Sequence, residues 1–134
     1  MFNLAIVTPE KIFYEGEVAS LIVPGSEGYL GTLTDHAPLI TAIVPGKVTL
    51  KDSSQEAVEM AVSHGFFEIS HNTATLLVDS AEYASNIDVE RSKKALERAR
   101  QRLANAVGEI DIPRAQRALE KAKNRLRIAE SEEH

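Results

Sequence analysis

Residues 73–98 read TATLLVDSAEYASNIDVERSKKALER and change texture partway along. The first part is a short run of Thr, Leu and Val that stops at Asp79, as a strand of ordinary length does. From Ile87 onward Ala, Leu, Glu, Lys and Arg take over, the residues that lose least on entering a helix. Between them Ser85-Asn86-Ile87-Asp88 fits a capping box, with Asp88 as an alternative N-cap. The chain is therefore expected to pass from a sheet domain, 1–84, to a helical domain, 85–134.

Upstream, short apolar or alternating runs predict strands near 2–7, 11–14, 17–23, 29–33, 39–43, 46–50, 57–62, 66–70 and 73–79. Turn signals separate them at Pro9-Glu10, Pro24-Gly25, Pro45-Gly46, Asp52-Ser53 and His71-Asn72. Many short strands at this spacing point to a sandwich or flattened barrel. Downstream, Gly108 interrupts the helical pattern, Asp111 can cap a second helix, and Pro113 falls in that helix's first turn. A shift of 23 residues lays 87–103 onto 110–126 with nine of 17 positions identical, and shared helical composition explains this as readily as duplication.

The helical seam has energetic content. The second helix places Ile112, Ala115, Leu119, Ala122, Leu126 and Ala129 at spacings of three and four, and the first places Ala95 or Leu96, Ala99, Leu103 and Ala106. Half of the second seam is alanine, and a buried methyl contributes only about 0.8 kcal/mol. A short connection favours an antiparallel hairpin, closely packed but weakly held, that is able to open.

Charge follows the same division. Residues 1–84 carry three basic and eleven acidic side chains, a formal −8, and 85–134 carry twelve and nine, a formal +3. The absence of cysteine excludes disulfide scaffolds, zinc–cysteine sites and thiol chemistry. The longest uncharged run, 37–46, is too short to span a membrane and holds two prolines. No basic segment precedes an apolar stretch at Met1, so no signal peptide or direct membrane insertion is expected.

Few constellations carry chemistry. There is no Gly-rich phosphate loop, and His36, His64 and His71 lack metal-ligand spacing. Asp35-His36 is either an acid–base pair or a turn Asp beside a satisfied histidine, and Ser63-His64-Gly65 lies between strands, where no nucleophile elbow forms. The strongest signal is the basic helical surface, which includes Arg91, Lys93, Lys94, Arg98, Arg100, Arg102, Lys121 and Arg125. It is a solvated face or a site for an anionic partner; the lack of interleaved aromatics argues against single-stranded nucleic acid.

The order and spacing of several short motifs identify a family. Gly25-Ser26-Glu27-Gly28-Tyr29-Leu30-Gly31, His36-Ala37-Pro38-Leu39, Thr41-Ala42-Ile43-Val44-Pro45-Gly46, Gly65-Phe66-Phe67-Glu68-Ile69 and Asn124-Arg125-Leu126 together resemble the epsilon subunits of bacterial F-type ATP synthases. The resemblance covers the whole chain. It implies an α+β protein, a ten-strand β-sandwich followed by an antiparallel two-helix hairpin. It implies a non-catalytic central-stalk subunit, peripheral on the cytoplasmic face of the bacterial plasma membrane. That subunit binds the gamma subunit and the c-subunit ring, couples rotation to synthesis, and needs no cofactor. By resemblance Glu27, Tyr29 and His36 lie in one loop toward the c ring. The hairpin folds beside the sandwich or extends into the catalytic alpha/beta head, where it inhibits ATP hydrolysis.

Some members bind ATP as a regulatory ligand through Ile-Asp-x-x-Arg-Ala. Here Ile87, Asp88 and Arg91 match while Ser92 replaces the alanine, and Glu82, Arg98 and Arg125 match further positions, with Lys121 in place of an arginine. The same string recurs from Ile110 through Ala115 at the start of the second helix, where it reads as structural. Two loop departures are Thr34-Asp35 for the usual Pro-Gly and His64-Gly65 for Gly-Gly. The alternative is a stand-alone ATP-sensing module built on the same hairpin.

Overall fold

The computed structural model describes residues 1–104 and 112–132. It divides into two compact units, Met1–Tyr83 and Ala84–His134. The first is a continuous ten-stranded sheet: β1 Phe2–Val7, β2 Ile12–Val18, β3 Ser20–Gly25, β4 Gly28–Leu33, β5 Leu39–Ile43, β6 Gly46–Lys51, β7 Ala57–Val62, β8 Gly65–Ser70, β9 Thr73–Val78 and β10 Ala81–Tyr83. The order is β10-β7-β6-β3-β5-β8-β9-β1-β2, with β4 paired to β3. Every pairing is antiparallel except β1 with β9.

The sheet folds over on itself. Phe2, Leu4, Ile6 and Val18 from one end of the strand order share one buried cluster with Val48, Leu50, Met60 and Val62 from the other. Phe67, Ile69 and Leu76 fill its middle. Strands with one face in the core and one in water show the period-two burial seen in β1 and β9. The two terminal strands meet through Phe13 of β2 and Tyr83 of β10, whose rings lie 4.7 Å apart. Beside them burial, the Asp52 charge and Tyr83 push the Tyr14 phenol above its ordinary value.

Three details differ from the sequence expectation. The single strand expected over 17–23 is two: β2 runs through Val18, and β3 begins at Ser20. Pro24-Gly25 is not a turn but the buried end of β3; the chain reverses at Ser26 and Glu27, between paired Gly25 and Gly28. Proline is tolerated there because β3 changes neighbour at that point, pairing β6 through Ile22 and β5 at Gly25. The third detail is β10, whose three residues give too little sequence for alternation to show.

In the second unit a 3-10 turn, Ala84–Asn86, leads into α1, Val89–Ala104, and α2 is Ile112–Glu132. The helices pack against each other as a hairpin, and the 3-10 turn packs on α2. Asp88 is the N-cap: its Oδ1 accepts the Arg91 N–H at 3.1 Å. Leu96, Ala115, Ala122 and Ala129 are buried, and Leu103, Leu119 and Leu126 are half-buried, as the seam requires. Pro113 is the second residue of α2. Ala106, Gly108, Ile110 and Asp111, and the side chain of Ile112, fall outside the described residues.

Candidate functional site

The sandwich offers one apolar outer face. Ala42, Phe66, Leu77, Val7 and Ile12 are successive register partners across β5, β8, β9, β1 and β2. Direct partners share a face, so the five form one row, about 19 Å long at the usual interstrand spacing. Phe66 is 61% exposed, Leu77 51% and Ile12 59%. A groove of about 610 Å³ runs along this row from Ala42 to Val7, bordered also by Pro9, His64 and Asp79. Phe66 and Leu77 stand side by side in water, and Ile12 follows them beyond Val7, so the row is an exposed apolar patch.

The β3–β4 turn stands at the same end of the sandwich as this row. Ser26 N–H donates to the Ala42 carbonyl at 3.0 Å, and Val44 N–H to the Pro24 carbonyl at 3.0 Å. Glu27 lies exposed at the turn, and Gly28 beside it takes a positive φ of 125°. Tyr29 projects next to it with its hydroxyl accepting the Lys47 N–H at 3.1 Å, so the ring is anchored although exposed.

His36 does not join them. Glu27 precedes β4 and Tyr29 is its second residue, whereas His36 follows its far end, about 13 Å of strand beyond Tyr29. The expectation of one loop carrying all three is corrected accordingly. His36 belongs to the other end, where Asp35 N–H donates to Asn72 Oδ1 at 2.7 Å and Asn72 Nδ2 returns a bond to Asp35 Oδ1 at 3.0 Å. Asp35 adopts a φ of 63°, a left-handed conformation that aspartate tolerates better than most side chains. His36 Nδ1 donates to the Ala37 carbonyl at 2.7 Å, so Asp35 and His36 are each occupied elsewhere and form no acid–base pair. Ser63 is likewise structural: its Oγ accepts the Ser80 N–H at 2.8 Å. Among the described residues no three His, Asp or Glu side chains gather as a metal site.

The hairpin carries a second kind of surface. Arg98, Arg102, Lys121 and Arg125 rim a groove of about 340 Å³ whose floor is Ala95, Ala99, Ala118 and Ala122. No carboxylate lines it. Four cationic side chains over methyl groups give the groove a basic rim, a charge pattern complementary to anionic oxygens. Three of the four belong to the expected ATP set; Arg102 does not, although it stands four residues after Arg98, the spacing that puts both on one helical face.

The remaining expected residues of the hairpin lie outside this groove. Arg91 is exposed in the first turn of α1, about 10 Å along the axis from Arg98. Asp88 is exposed and engaged as the cap. Ile87 and Ser92 are buried, and Glu82 is half-buried in β10 of the sandwich. The groove thus unites Arg98, Lys121 and Arg125 and does not include Ile87, Asp88, Arg91 or Ser92.

Comparison with known proteins gives a concordant result along the chain. The family model described as ATP synthase, delta/epsilon chain, beta-sandwich domain matches residues 1–84, and the long alpha-helix domain of the same family matches residues 85–130. The ATP synthase epsilon chain of Moorella thermoacetica is 46% identical over 101 residues, covering 75% of each chain. That of Brevibacillus brevis is 40% identical over 107 residues, covering 80% of this chain and 81% of its own. Among solved structures, a chain of the Euglena gracilis mitochondrial ATP synthase, in an OSCP/F1/c-ring assembly, superposes with a TM-score of 0.80 at 22% identity, covering 98% of this chain and 80% of that one. A chain from the central stalk and c ring of the Tetrahymena thermophila enzyme gives 0.64 at 12% identity, covering 98% and 96%. At those identities the two structures speak for the fold.

Proposed function

The chain belongs to the delta/epsilon-chain family of ATP synthases as a non-catalytic epsilon subunit, and from that premise we propose that it is a central-stalk rotor subunit with two working surfaces. The sandwich docks on the gamma subunit and the c-subunit ring. The observation that carries this is the five-strand apolar row, which ends beside the Glu27–Tyr29 turn. The row supplies the area that a permanent interface desolvates, and Glu27 and Tyr29 supply a polar rim for the loops of the ring. His36, at the other end, is a separate contact.

The hairpin regulates. Its alanine seam gives little apolar burial per residue, so the packed form is separated from an open one by a small free energy. Opened, its basic face meets acidic segments of the alpha/beta head and hydrolysis is inhibited. Packed, its cationic groove holds ATP phosphates, with Arg98, Lys121 and Arg125 as the primary contacts and Arg102 beside them. Lys121 supplies a point charge where an arginine would supply a bidentate fork. The protein works peripherally, on the cytoplasmic face of the membrane; no helix among the described residues is long and apolar enough to cross.

Two measurements test this. Pull-down of gamma from cells should succeed with wild type and fail with Phe66→Glu, Leu77→Glu; retention of gamma by that variant would remove the apolar row as the docking face. A wild-type chain that recovers no synthase subunit, with or without ATP, would leave the stand-alone sensor. Calorimetric titration with ATP should give heat that falls about tenfold in affinity for Arg98→Ala, one charge-assisted phosphate contact being lost. No heat in wild type would remove the nucleotide.

A further inference from the structure

Among the described residues two buried side-chain polar atoms have no hydrogen-bond partner, Thr32 Oγ1 in the sandwich and Ser92 Oγ in the hairpin. Ser92 is 1% exposed. It lies one turn into α1, at the head of the buried stripe that continues through Leu96. The carbonyl one turn back, that of Asp88, already accepts the Ser92 N–H at 2.9 Å. The hydroxyl itself is shut off from water with nothing in exchange. In the unfolded or opened helix it is hydrated, so packing strips it of bonds that the packed form does not replace.

Its surroundings make that loss matter. About half of the seam positions are alanine methyls, at Ala95, Ala99, Ala115, Ala122 and Ala129. A core of Leu and Phe would absorb one unsatisfied hydroxyl with little change in its population. An alanine seam contributes so little per residue that a single buried polar atom is a sizeable fraction of what holds it. The cost falls only on the packed form, which is the condition for shifting an equilibrium between two forms.

We infer that the Ser92 hydroxyl is a built-in bias toward release of the hairpin, a conformational setting made by one buried atom. This rests on the reading of the hairpin as a movable regulatory element. It differs from a nucleotide-contact role for Ser92, which needs the hydroxyl accessible to ligand. Ser92→Ala removes the oxygen, keeps the methylene and leaves no new polar group.

The test is amide hydrogen exchange on the full-length chain without nucleotide. Ser92→Ala also gains helix propensity, so the control is Gln116→Ala, an exposed position in α2 with a gain of the same sign and somewhat smaller size. Ser92→Ala should slow exchange throughout α1 and α2 about tenfold, while Gln116→Ala slows it about twofold at most and the strands change in neither. Equal effects of the two variants would overturn the inference and leave the movable hairpin untouched. Wild-type helices that exchange as slowly as the sandwich strands would overturn both. In the reconstituted synthase Ser92→Ala should weaken inhibition of hydrolysis. Slowed exchange with unaltered inhibition would uphold the hydroxyl's bias and remove the regulatory reading instead.

Discussion

Gly65 shows how a single residue holds two strands at their working distance. A Cβ added there would stand 1.8 Å from the Leu77 carbonyl oxygen and 2.8 Å from the Leu77 carbonyl carbon and Val78 Cα. All three are backbone atoms, so no side chain can turn aside. Gly65→Ala is expected to push β8 from β9 and cost about 1–3 kcal/mol, read as a lower urea midpoint at unchanged slope. A midpoint within error of wild type would show that the strands yield freely. The same displacement would part Phe66 from Leu77, so gamma recovery should fall with stability. The sequence marked Gly65 through its motif but not its reason, because the clash is with a strand twelve residues away. Asp35 is the opposite case: its left-handed φ and its paired bonds to Asn72 are invisible in sequence, where it reads as a turn Asp or half of an acid–base pair with His36.

At the scale of elements, what was legible depended on length and punctuation. Strands bounded by strong turn residues stood out, as at His71-Asn72, where both residues take positive φ between β8 and β9. The boundary between β2 and β3 did not, because Glu17-Val18-Ala19-Ser20 carries neither Gly nor Pro. The candidate site was half legible for a similar reason. Arg98, Lys121 and Arg125 meet across two helices as the motif implied, but helical reach keeps Arg91 and Asp88 at the first turn of α1. Asp88 is therefore weighed first as a cap. Asp88→Ala should cost the hairpin about 1 kcal/mol and lower helical ellipticity, whereas Asp88→Asn, an equally good cap, should not. ATP affinity lost in both variants with helicity kept in the second would give the carboxylate a ligand role beyond capping.

At the scale of the whole molecule the two units differ in what holds them and in what reports on them. The sandwich buries Phe2, Phe67, Leu4, Ile6, Leu21 and Met60 almost completely, while among the described residues of the hairpin the largest buried side chains are Leu96, Ile87 and Ile128. At about 25 cal/mol per Å² of apolar surface, the first core outweighs the second by far. All three tyrosines, Tyr14, Tyr29 and Tyr83, and all four phenylalanines fall within residues 1–83, and there is no tryptophan. Helix, apart from the short 3-10 turn, is confined to α1 and α2 among the described residues. Tyrosine fluorescence thus reads the sandwich alone and helical ellipticity reads the hairpin alone. In a urea titration the ellipticity should fall first, at a clearly lower midpoint, while the tyrosine signal keeps its native value. Coincident midpoints would mean one cooperative unit and would leave no separate free-energy step for the hairpin to use in regulation.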